Sequence, residues 1–477
     1  MKTYQDLLQV GEDEAARAAF VLTCINEHKG GELYKWAKLG DDYSRGQNTT
    51  IKSYQKTLTN VTGEVVPDEW SPTHRSASNF FQVITTQLNQ FELGNGVEWE
   101  NEQTAERLGA DFDTRLQRAG YEALCAGASF GFFNNDHMEV FSALEFAPLY
   151  DEENGALRAG IRFWQVDASK PMRATLYEEG GYTNYLWAKQ YEPTDDWTKI
   201  ADQTYSMNKR AYIIHVTQSE ADGEIIYDGK NYDTFPIVPL WANPQKQSEL
   251  VNLQEKIDAY DFILNGFEDD LDNAQLYWII KGAGGMDDID LTQFLDRLRT
   301  VKAAAPADGQ EIAPVQINIP YAAREQLLTR LERQIYRDAM ILNPDYIAGG
   351  AATATQIRAA YEPQNVKADQ YEYCLIDFVQ GILKIAGIED NPTFTRSMVV
   401  NKQEEVQVLV QAAQFLSPEY VTRKILSLFG DADKADEILT QMERSEMERM
   451  ALAIGQAQGE EQSAQEEPEA QAEEAEV

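Results

Sequence analysis

A stripe of apolar residues between Ser248 and Asn273 constrains the fold of this chain more than any other feature. The stripe recurs at steps of three and four residues among Asp, Glu, Asn and Gln, and its members are Leu250, Leu253, Ile257, Tyr260, Leu264, Phe267 and Leu271. This spacing places every member on one side of a helix. The sequence therefore predicts a long amphipathic helix over 248–274 that needs a packing partner.

A second amphipathic helix is predicted over 321–342. One face carries apolar side chains, at Leu328, Leu331, Ile335, Ala339 and Leu342. The opposite face carries Arg330, Arg333 and Arg337 at three- and four-residue steps. The segment between the two helices, 275–320, reads as a small module of a strand at 276–280, a short helix at 291–298 and a strand at 315–319. Two long helices that bracket an inserted module indicate a mechanical part rather than a catalytic one.

The arginine row has two interpretations. The guanidinium groups could touch passing phosphates weakly, or they could pair with acids such as Glu255, Asp258 and Asp261 of a neighbouring helix. We favour pairing, but the planar fork of arginine suits carboxylates and phosphates equally, so the sequence does not separate the two.

The first half of the chain is predicted to be α+β. Helical spacing covers 12–38 with a break at Gly30-Gly31, then Asn79 to Leu93 with a stop at Gly94, then Phe112 to Leu124. The pattern then changes to period two and turn residues, with a hairpin around Asp151–Gly155. Further strands are predicted at 173–177, 182–188, 212–216, 224–227 and 235–241.

Helical pattern returns after the second amphipathic helix. Asn343-Pro344 ends that helix, and the small residues of 343–352 predict a flexible loop. A long helix follows to Ala386, in which Pro363 predicts a kink or a break. Shorter helices are predicted over 401–455. The last segment, 456–477, has eight glutamates and no basic residue, which predicts a disordered acidic tail.

Composition narrows the classes of function. The chain has 477 residues, enough for several domains, and its 43% apolar content predicts that most of it folds. Acidic residues outnumber Lys and Arg by 79 to 41, which opposes tight binding to phosphate backbones over a broad surface. No secretion signal and no run long enough to span a membrane is found.

The sequence carries no credible set of nucleophile, base and orienting group. GxxxxGK[ST] and HExxH are absent, and the four histidines show no metal-ligand spacing. The three cysteines are widely separated and are predicted to be buried free thiols. The acidic run Glu268, Asp269, Asp270 and Asp272 could hold a metal, but successive helical residues diverge, so we expect a solvated or subunit-facing acidic surface. We predict no catalytic residue, metal or cofactor.

The pieces together resemble the portal proteins of tailed bacteriophages, in particular those of long, flexible-tailed phages. The resemblance rests on motif order: residues 27–48, then Asn79-Phe80-Phe81 to Gly96, then Ala126–Gly131, Pro148–Asp151 and Ile161–Trp164. Phe235-Pro236-Ile237-Val238-Pro239-Leu240, leading into Ser248 and Ile257–Asp261, resembles the start of the family's first stem helix. Ser417-Pro418-Glu419 with Ile425–Gly430 looks like the family's crown.

The resemblance implies a portal fold with a mixed α/β wing, a two-helix stem, a small α/β clip and a helical crown. The segments would be wing 1–247, first stem helix 248–274, clip 275–320, second stem helix 321–342, tunnel loop 343–352, long kinked wing helix and connection 353–400, crown 401–455 and acidic tail 456–477. DNA-facing loop residues would be Asn343, Asp345, Tyr346, Gly349, Gly350 and Thr353. Partner-binding clip residues would be Trp278, Asp287, Asp288, Arg297 and Arg299.

It further implies a homo-oligomeric ring, usually of twelve subunits, at one capsid vertex. The channel would pass double-stranded DNA without sequence specificity. The terminase large subunit would dock first and a head-to-tail adaptor later, with major capsid and scaffold proteins around the ring. The location would be the virion, and the host cytoplasm during assembly. The competing classes are a virion scaffold or adaptor without a channel, and a hydrolase with a hidden pocket.

Overall fold

The structure is a computed structural model of the chain. The structure describes residues 2–59, 63–69, 71–101, 103–188, 196–218, 225–273, 278–281, 293, 311–314, 320–344, 354–397, 406, 409–429, 434–442 and 444. Helices and strands are mixed throughout the first half, and long helices dominate the second. The predicted α+β character is therefore confirmed at this coarse level.

The helices are numbered in chain order. They are α1 (Tyr4–Val10), α2 (Glu14–Lys29), α3 (Glu32–Ser44), α4 (Thr49–Ser53), α5 (Phe80–Leu93), α6 (Gln103–Leu108), α7 (Phe112–Ala126), α8 (Gln254–Asn273), α9 (Tyr321–Ala339), α10 (Ala354–Ala386) and α11 (Pro418–Phe429).

The strands are numbered in the same way. They are β1 (Thr57–Thr59), β2 (Val65–Pro67), β3 (Val97–Glu98), β4 (Ala128–Asn134), β5 (His137–Ser142), β6 (Phe146–Tyr150), β7 (Leu157–Trp164), β8 (Met172–Glu178), β9 (Gly181–Trp187), β10 (Thr198–Ala201), β11 (Thr204–Ser206), β12 (Ile213–Gln218), β13 (Ile225–Lys230), β14 (Ile237–Trp241), β15 (Trp278–Lys281), β16 (Glu311–Pro314) and β17 (Thr393–Phe394).

Two antiparallel sheets organise the first half. The larger has the order β10-β11-β9-β8-β7-β6, and the smaller has the order β14-β4-β5. Two-stranded pairs join β1 to β2, β12 to β13, β15 to β16 and β17 to β3. The strand order of the larger sheet follows the chain except at β10 and β11, which is what successive hairpins produce.

One apolar core lies between the larger sheet and helices α1 and α2, and another joins strands of both sheets. Helices α1 and α2 pack on the larger sheet, where Val21 and Ile25 meet Ile161 and Leu176. The smaller sheet is packed with aromatic rings; the Phe130 and Phe146 centroids lie 4.5 Å apart. These buried rings explain why the sequence alternates so clearly between apolar and polar residues in this region.

Two compact units are present in the chain. One comprises residues 1–351 and 359–397, and it holds both sheets and the helices α1 to α9. The other comprises residues 352–358 and 398–477; its described part contains α11, in which Arg423 pairs with Glu419 and Asp436 at 3.3 and 2.6 Å. All the packing described below lies within the first unit.

Most of the predicted elements are confirmed, with corrected ends. Helix α8 begins at Gln254 rather than Ser248, because the Ser248 hydroxyl donates to the carbonyl of Cys125 and accepts from the amide of Leu250, which holds that segment in turns. Helix α9 ends at Ala339, because Met340 adopts a left-handed conformation. The hairpin around Asp151–Gly155 is confirmed as β6 and β7.

The remaining predictions concern Pro363, the segment 275–320 and the tail. Helix α10 continues through Pro363, so the predicted break is absent; Pro363 and Ala359 lie on the exposed side, where water can bond the freed carbonyl. The strand near 276–280 is confirmed as β15, which pairs with β16. The predicted helix at 291–298 lies outside the described residues apart from Gln293, and the predicted strand at 315–319 and the tail at 456–477 lie wholly outside them. The sequence analysis missed α1, α4, α6, β1, β2, β3, β10, β11 and β17.

Candidate functional site

Helix α8 is enclosed on two opposite sides. On one side it packs against α9, through Lys256, Phe267 and Asp270. Lys256 pairs with Asp338, the rings of Phe267 and Tyr321 lie 5.7 Å apart, and Arg324 of α9 pairs with Asp270. On the other side lies an extended segment, residues 72–79, that we call the strap. Because a helix advances about 100° per residue, the residues that meet α9 and those that meet the strap fall on opposite faces.

The strap is held through its backbone. The amide of Ser78 donates to Asp261 at 3.1 Å, and the amide of His74 donates to Asp269 at 2.8 Å. Between them, the side-chain amide of Asn265 accepts from the Ser76 nitrogen at 2.7 Å and donates to the Ser76 oxygen at 2.8 Å. Steps of four residues along a helix advance about 6 Å, and steps of two along an extended chain about 6.6 Å. The matched repeat lets one helix face bind alternate strap residues.

Asp269 binds the strap near its N-terminal end, at His74. Its carboxylate is buried and accepts from Lys56 Nζ at 2.6 Å and from His74 Nδ1 at 2.7 Å. Burial alone would raise the pKa of Asp269, but the hydrogen bonds from Lys56 and His74 outweigh burial and lower it. The expectation that this acidic run is solvated or subunit-facing is therefore wrong for Asp269, because intrachain donors surround it. Asp272 does remain more than half exposed.

Asp258 and Asp261 are also engaged within the chain. The Tyr43 hydroxyl donates to Asp258 at 2.6 Å, and the Asn48 amide donates to Asp258 at 2.9 Å and to Asp261 at 2.8 Å. Burial raises the pKa of Asp261 despite these donors. Two of the three acids predicted as arginine partners thus already have partners from the N-terminal helices, which leaves Glu255 exposed.

Arg330, Arg333 and Arg337 lie together on the side of α9 that faces away from α8. They line a cleft of about 940 Å³ with Asn343, and Ala359, Ala360 and Pro363 of α10 also line it. Arg330 and Arg333 form no ion pair or hydrogen bond within the part of the chain that the structure describes, and Arg337 reaches only its neighbour Asp338, at 3.4 Å. The shared face predicted for the three arginines is observed.

The end of α9 is held by side chains from other helices. Lys367 Nζ donates to the Ala339 carbonyl at 2.8 Å and pairs with Glu249 at 2.5 Å. Gln364 Oε1 accepts from the Leu342 amide at 3.1 Å, and Gln87 donates to the Leu342 carbonyl at 3.1 Å. These contacts occupy the backbone groups that a helix end leaves open. They fix the point from which the chain enters the segment after Asn343.

The predicted packing residues of α8 separate into three groups. Leu250, Leu253 and Ile257 are buried, Tyr260, Leu264 and Phe267 are partly buried, and Leu271 is exposed. Nearby apolar side chains are also exposed, among them Phe262, Tyr321 and Leu327. The apolar stripe is therefore only half used within one chain.

Several predicted site residues lie outside the described residues: Asp345, Tyr346, Gly349, Gly350, Thr353, Asp287, Asp288, Arg297 and Arg299. Asn343 is buried at the edge of the arginine cleft. Trp278 lies in β15, opposite Pro314. Sequence reasoning missed the strap, although one signal was available: polar residues recur at 261, 265 and 269, a four-residue step opposite the apolar stripe.

In the described parts of the chain, no group of three or more His, Cys, Asp or Glu side chains is arranged to hold a metal ion. No described helix is both long and apolar enough to cross a lipid bilayer. Cys24 and Cys125 are buried as predicted, while Cys374 is partly exposed.

Comparison with known proteins identifies the family. The chain matches the family described as phage portal protein, SPP1 Gp6-like, over residues 34–459. The chain belongs to this family of portal proteins, whose members are structural. The portal function that the resemblance implies is thereby confirmed.

Individual relatives agree with this assignment. The portal protein of Clostridium phage phiCD119 is 23% identical over 390 residues, which cover 73% of this chain and 81% of that protein. The portal protein of Bacillus phage SPP1 is 24% identical over 418 residues, covering 81% of this chain and 78% of that protein. Both alignments span most of the two proteins compared.

Looser likenesses to solved structures were also found. A chain from the neck of an empty gene transfer agent particle aligns with a TM-score of 0.43 and 13% identity, over 74% of this chain and 90% of that chain. A chain from the virion of a native gene transfer agent particle aligns with a TM-score of 0.41 and 14% identity, over 73% of this chain and 87% of that chain.

Proposed function

We propose that copies of this chain form a closed ring of about twelve subunits whose central channel passes double-stranded DNA at one vertex of a phage capsid. The observation that carries the proposal is the family match, which spans residues 34–459. The half-used apolar stripe supports it: exposed apolar side chains on a paired helix are suited to a neighbouring subunit.

The segments take roles in this ring. Helices α8 and α9 form the stem, residues 275–320 form the clip, and residues 343–352 form the loop that lines the tunnel. The regions before α8 form the wing with α10, and residues 401–455 form the crown. The polar contacts of Lys367, Gln364 and Gln87 support this assignment, since they give the loop a fixed origin.

Partners follow from the same assignment. The terminase large subunit docks on the clip, around Trp278, Asp287, Asp288, Arg297 and Arg299, and a head-to-tail adaptor replaces it after packaging. Scaffold and major capsid proteins contact the wing. DNA passes the loop residues Asn343, Asp345, Tyr346, Gly349, Gly350 and Thr353 without sequence-specific contact. The ring resides in the virion at the portal vertex, after assembly in the host cytoplasm.

The first test is the mass and shape of the purified full chain. Each chain weighs 53.9 kDa, so light scattering should give a mass on the order of 650 kDa for a closed ring, with a central hole in negative-stain images of the same peak. Monomers or open, irregular oligomers at all protein concentrations would contradict the proposal.

A pair of variants separates the stem from the rest of the surface. Leu327→Asp places a charge on an exposed apolar position of α9 and should reduce ring formation. Val166→Asp changes a residue that is 84% exposed in the loop after β7, and it should leave rings intact. Equal effects of the two substitutions would argue against the stem as the contact between subunits.

A further inference from the structure

The α8–α9 pair has two flanks of opposite charge. On α9, the residues that meet α8 and the three arginines lie on opposite sides of the helix, as the 100° step per residue requires. On α8, the residues that meet α9 lie opposite the residues that meet the strap. The order across the pair is therefore strap, α8, α9 and arginine row, with the strap and the arginines at the two outer edges.

The edge with the arginines is basic: Glu325 lines the same cleft, but among the described residues it forms no ion pair with any of the three arginines. The formal net charge of the chain is -38, yet Arg330 and Arg333 have no carboxylate within 4.0 Å among the described residues. Arg337 is 73% exposed and contacts only the adjacent Asp338. In a chain with this excess of acid, unpaired guanidinium groups are suited to binding an acidic surface of another molecule. The concave cleft they line suits a protein surface better than a smooth DNA backbone.

The opposite edge is acidic. Glu255, Glu268 and Asp272 lie on the strap side of α8, and the one basic residue of that helix, Lys256, lies on the α9 side, where it pairs with Asp338 at 3.2 Å. Residues 48–78 carry three acids and three bases, so the strap region adds no net positive charge beyond its histidine. The engaged carboxylates of Asp258, Asp261 and Asp269 add to the negative potential of this edge.

We propose that the basic edge of one copy docks against the acidic edge of a second copy. This inference rests on the proposed ring and identifies the contact that closes it. Two different, complementary edges on opposite sides of one subunit produce head-to-tail association, which is the geometry that closes into a ring. Two identical edges would instead produce a dimer.

The contact between Lys256 and Asp338 also indicates which residues meet. It places the start of α8 at the same height along the pair as the end of α9. Rotation about a ring axis parallel to the stem joins points of equal height. Arg337 of one copy therefore meets Glu255 of the next, and Arg330 and Arg333 extend the basic edge beyond this pair.

A charge exchange tests the contact. The variants are Arg337→Glu, Glu255→Arg and the two combined, with Lys384→Glu as a control charge reversal on an exposed residue of α10. The oligomer mass of each full-length protein is measured by mass photometry over a range of protein and salt concentrations. Circular dichroism of each variant checks that the chain remains folded.

Each single reversal should raise the concentration needed for half assembly by about tenfold, because it places like charges together. The combined variant should recover most of the loss, and higher salt should weaken wild-type assembly. The inference is overturned if Arg337→Glu assembles at the same protein concentrations as the wild type, or if the combined variant shows no recovery. In either case the ring proposal still stands. If the wild type never forms rings, both proposals are wrong.

The same variants distinguish contact with DNA. If Arg337→Glu assembles normally but releases a double-stranded DNA fragment at lower salt than wild-type rings do, the row faces the channel and the docking inference is overturned.

Discussion

His74 presents two donors to one carboxylate: its backbone nitrogen and its ring Nδ1 lie 2.8 and 2.7 Å from Oδ1 of Asp269. The hydrogen bond to Asp269 raises the pKa of His74 above its ordinary value of 6.5. Burial opposes ionisation of Asp269, but the bonds from Lys56 and His74 hold the pKa of Asp269 below 3.8. The two groups therefore stabilise the strap most when both are charged.

The strap should be most protected between pH 3.8 and 6.5. A histidine with a raised pKa contributes fully below its ordinary value and loses the contribution as pH rises through the folded value; an aspartate with a lowered pKa contributes fully above its ordinary value. Hydrogen exchange of residues 72–79, corrected for intrinsic rates, measures this. His74→Gln should abolish the decline above pH 6.5, whereas His137→Gln should not. An unchanged profile in His74→Gln would refute the assignment.

Asn265→Ala should loosen the strap. The substitution removes two hydrogen bonds to the backbone of the exposed Ser76, and each such bond contributes about 0.5–1.5 kcal/mol. Asn265→Asp should cost more, since a carboxylate would face the Ser76 carbonyl. Denaturant unfolding gives the loss of stability, with the exposed Asn252→Ala as control. Equal stability of the Asn265→Ala and Asn252→Ala proteins would contradict the role given to Asn265.

Lys367→Met should destabilise the junction at the end of α9 by about 3–5 kcal/mol, because it leaves the carboxylate of Glu249 unpaired in a nearly buried position. Changing both residues, as Glu249→Gln with Lys367→Met, should recover much of this loss. A double-mutant cycle by thermal unfolding separates the pair from its surroundings. Additive losses would mean that the two side chains act independently.

Gly40→Ala should disrupt the contact between α3 and α7. A Cβ at Gly40 would overlap the carbonyl oxygen and carbon of Cys125, a backbone group that cannot rotate away. We expect a loss above about 3 kcal/mol, in the range of severe core substitutions. Gly30→Ala is the matched control, because its added Cβ would come no closer than 3.6 Å to another residue. Similar melting temperatures for the two variants would contradict this packing.

Glu92 should make stability fall as pH rises. Its carboxyl is fully buried, and burial raises its pKa to about 8 despite Arg396 at 3.1 Å. The folded chain then holds a proton that the unfolded chain releases above pH 4.5, so the fall extends from pH 4.5 to 8. Glu92→Gln should lose this component when its unfolding curves are compared with the wild type. Glu389→Gln, an exposed control, should keep it.

The sequence predicted what depends on spacing. The apolar stripe from Leu250 to Leu271 gave α8, and the shared face of Arg330, Arg333 and Arg337 followed from the same arithmetic. It could not predict that Asp269 is buried, because the donors Lys56 and His74 are 213 and 195 residues away in sequence. Nor could it predict that α9 stops at Met340, since that end depends on Gln364 and Lys367 from another helix.

The strap carries a consequence for how this protein tolerates change. Helix α8 recognises the peptide groups of residues 76 and 78, and every amino acid except proline supplies the same groups. The position of this segment therefore depends almost entirely on the side chains of Asp261, Asn265 and Asp269. Substitution at the exposed Ser76 can alter what the segment displays to its surroundings while its position stays the same, so this part of the surface can diversify without rebuilding the stem.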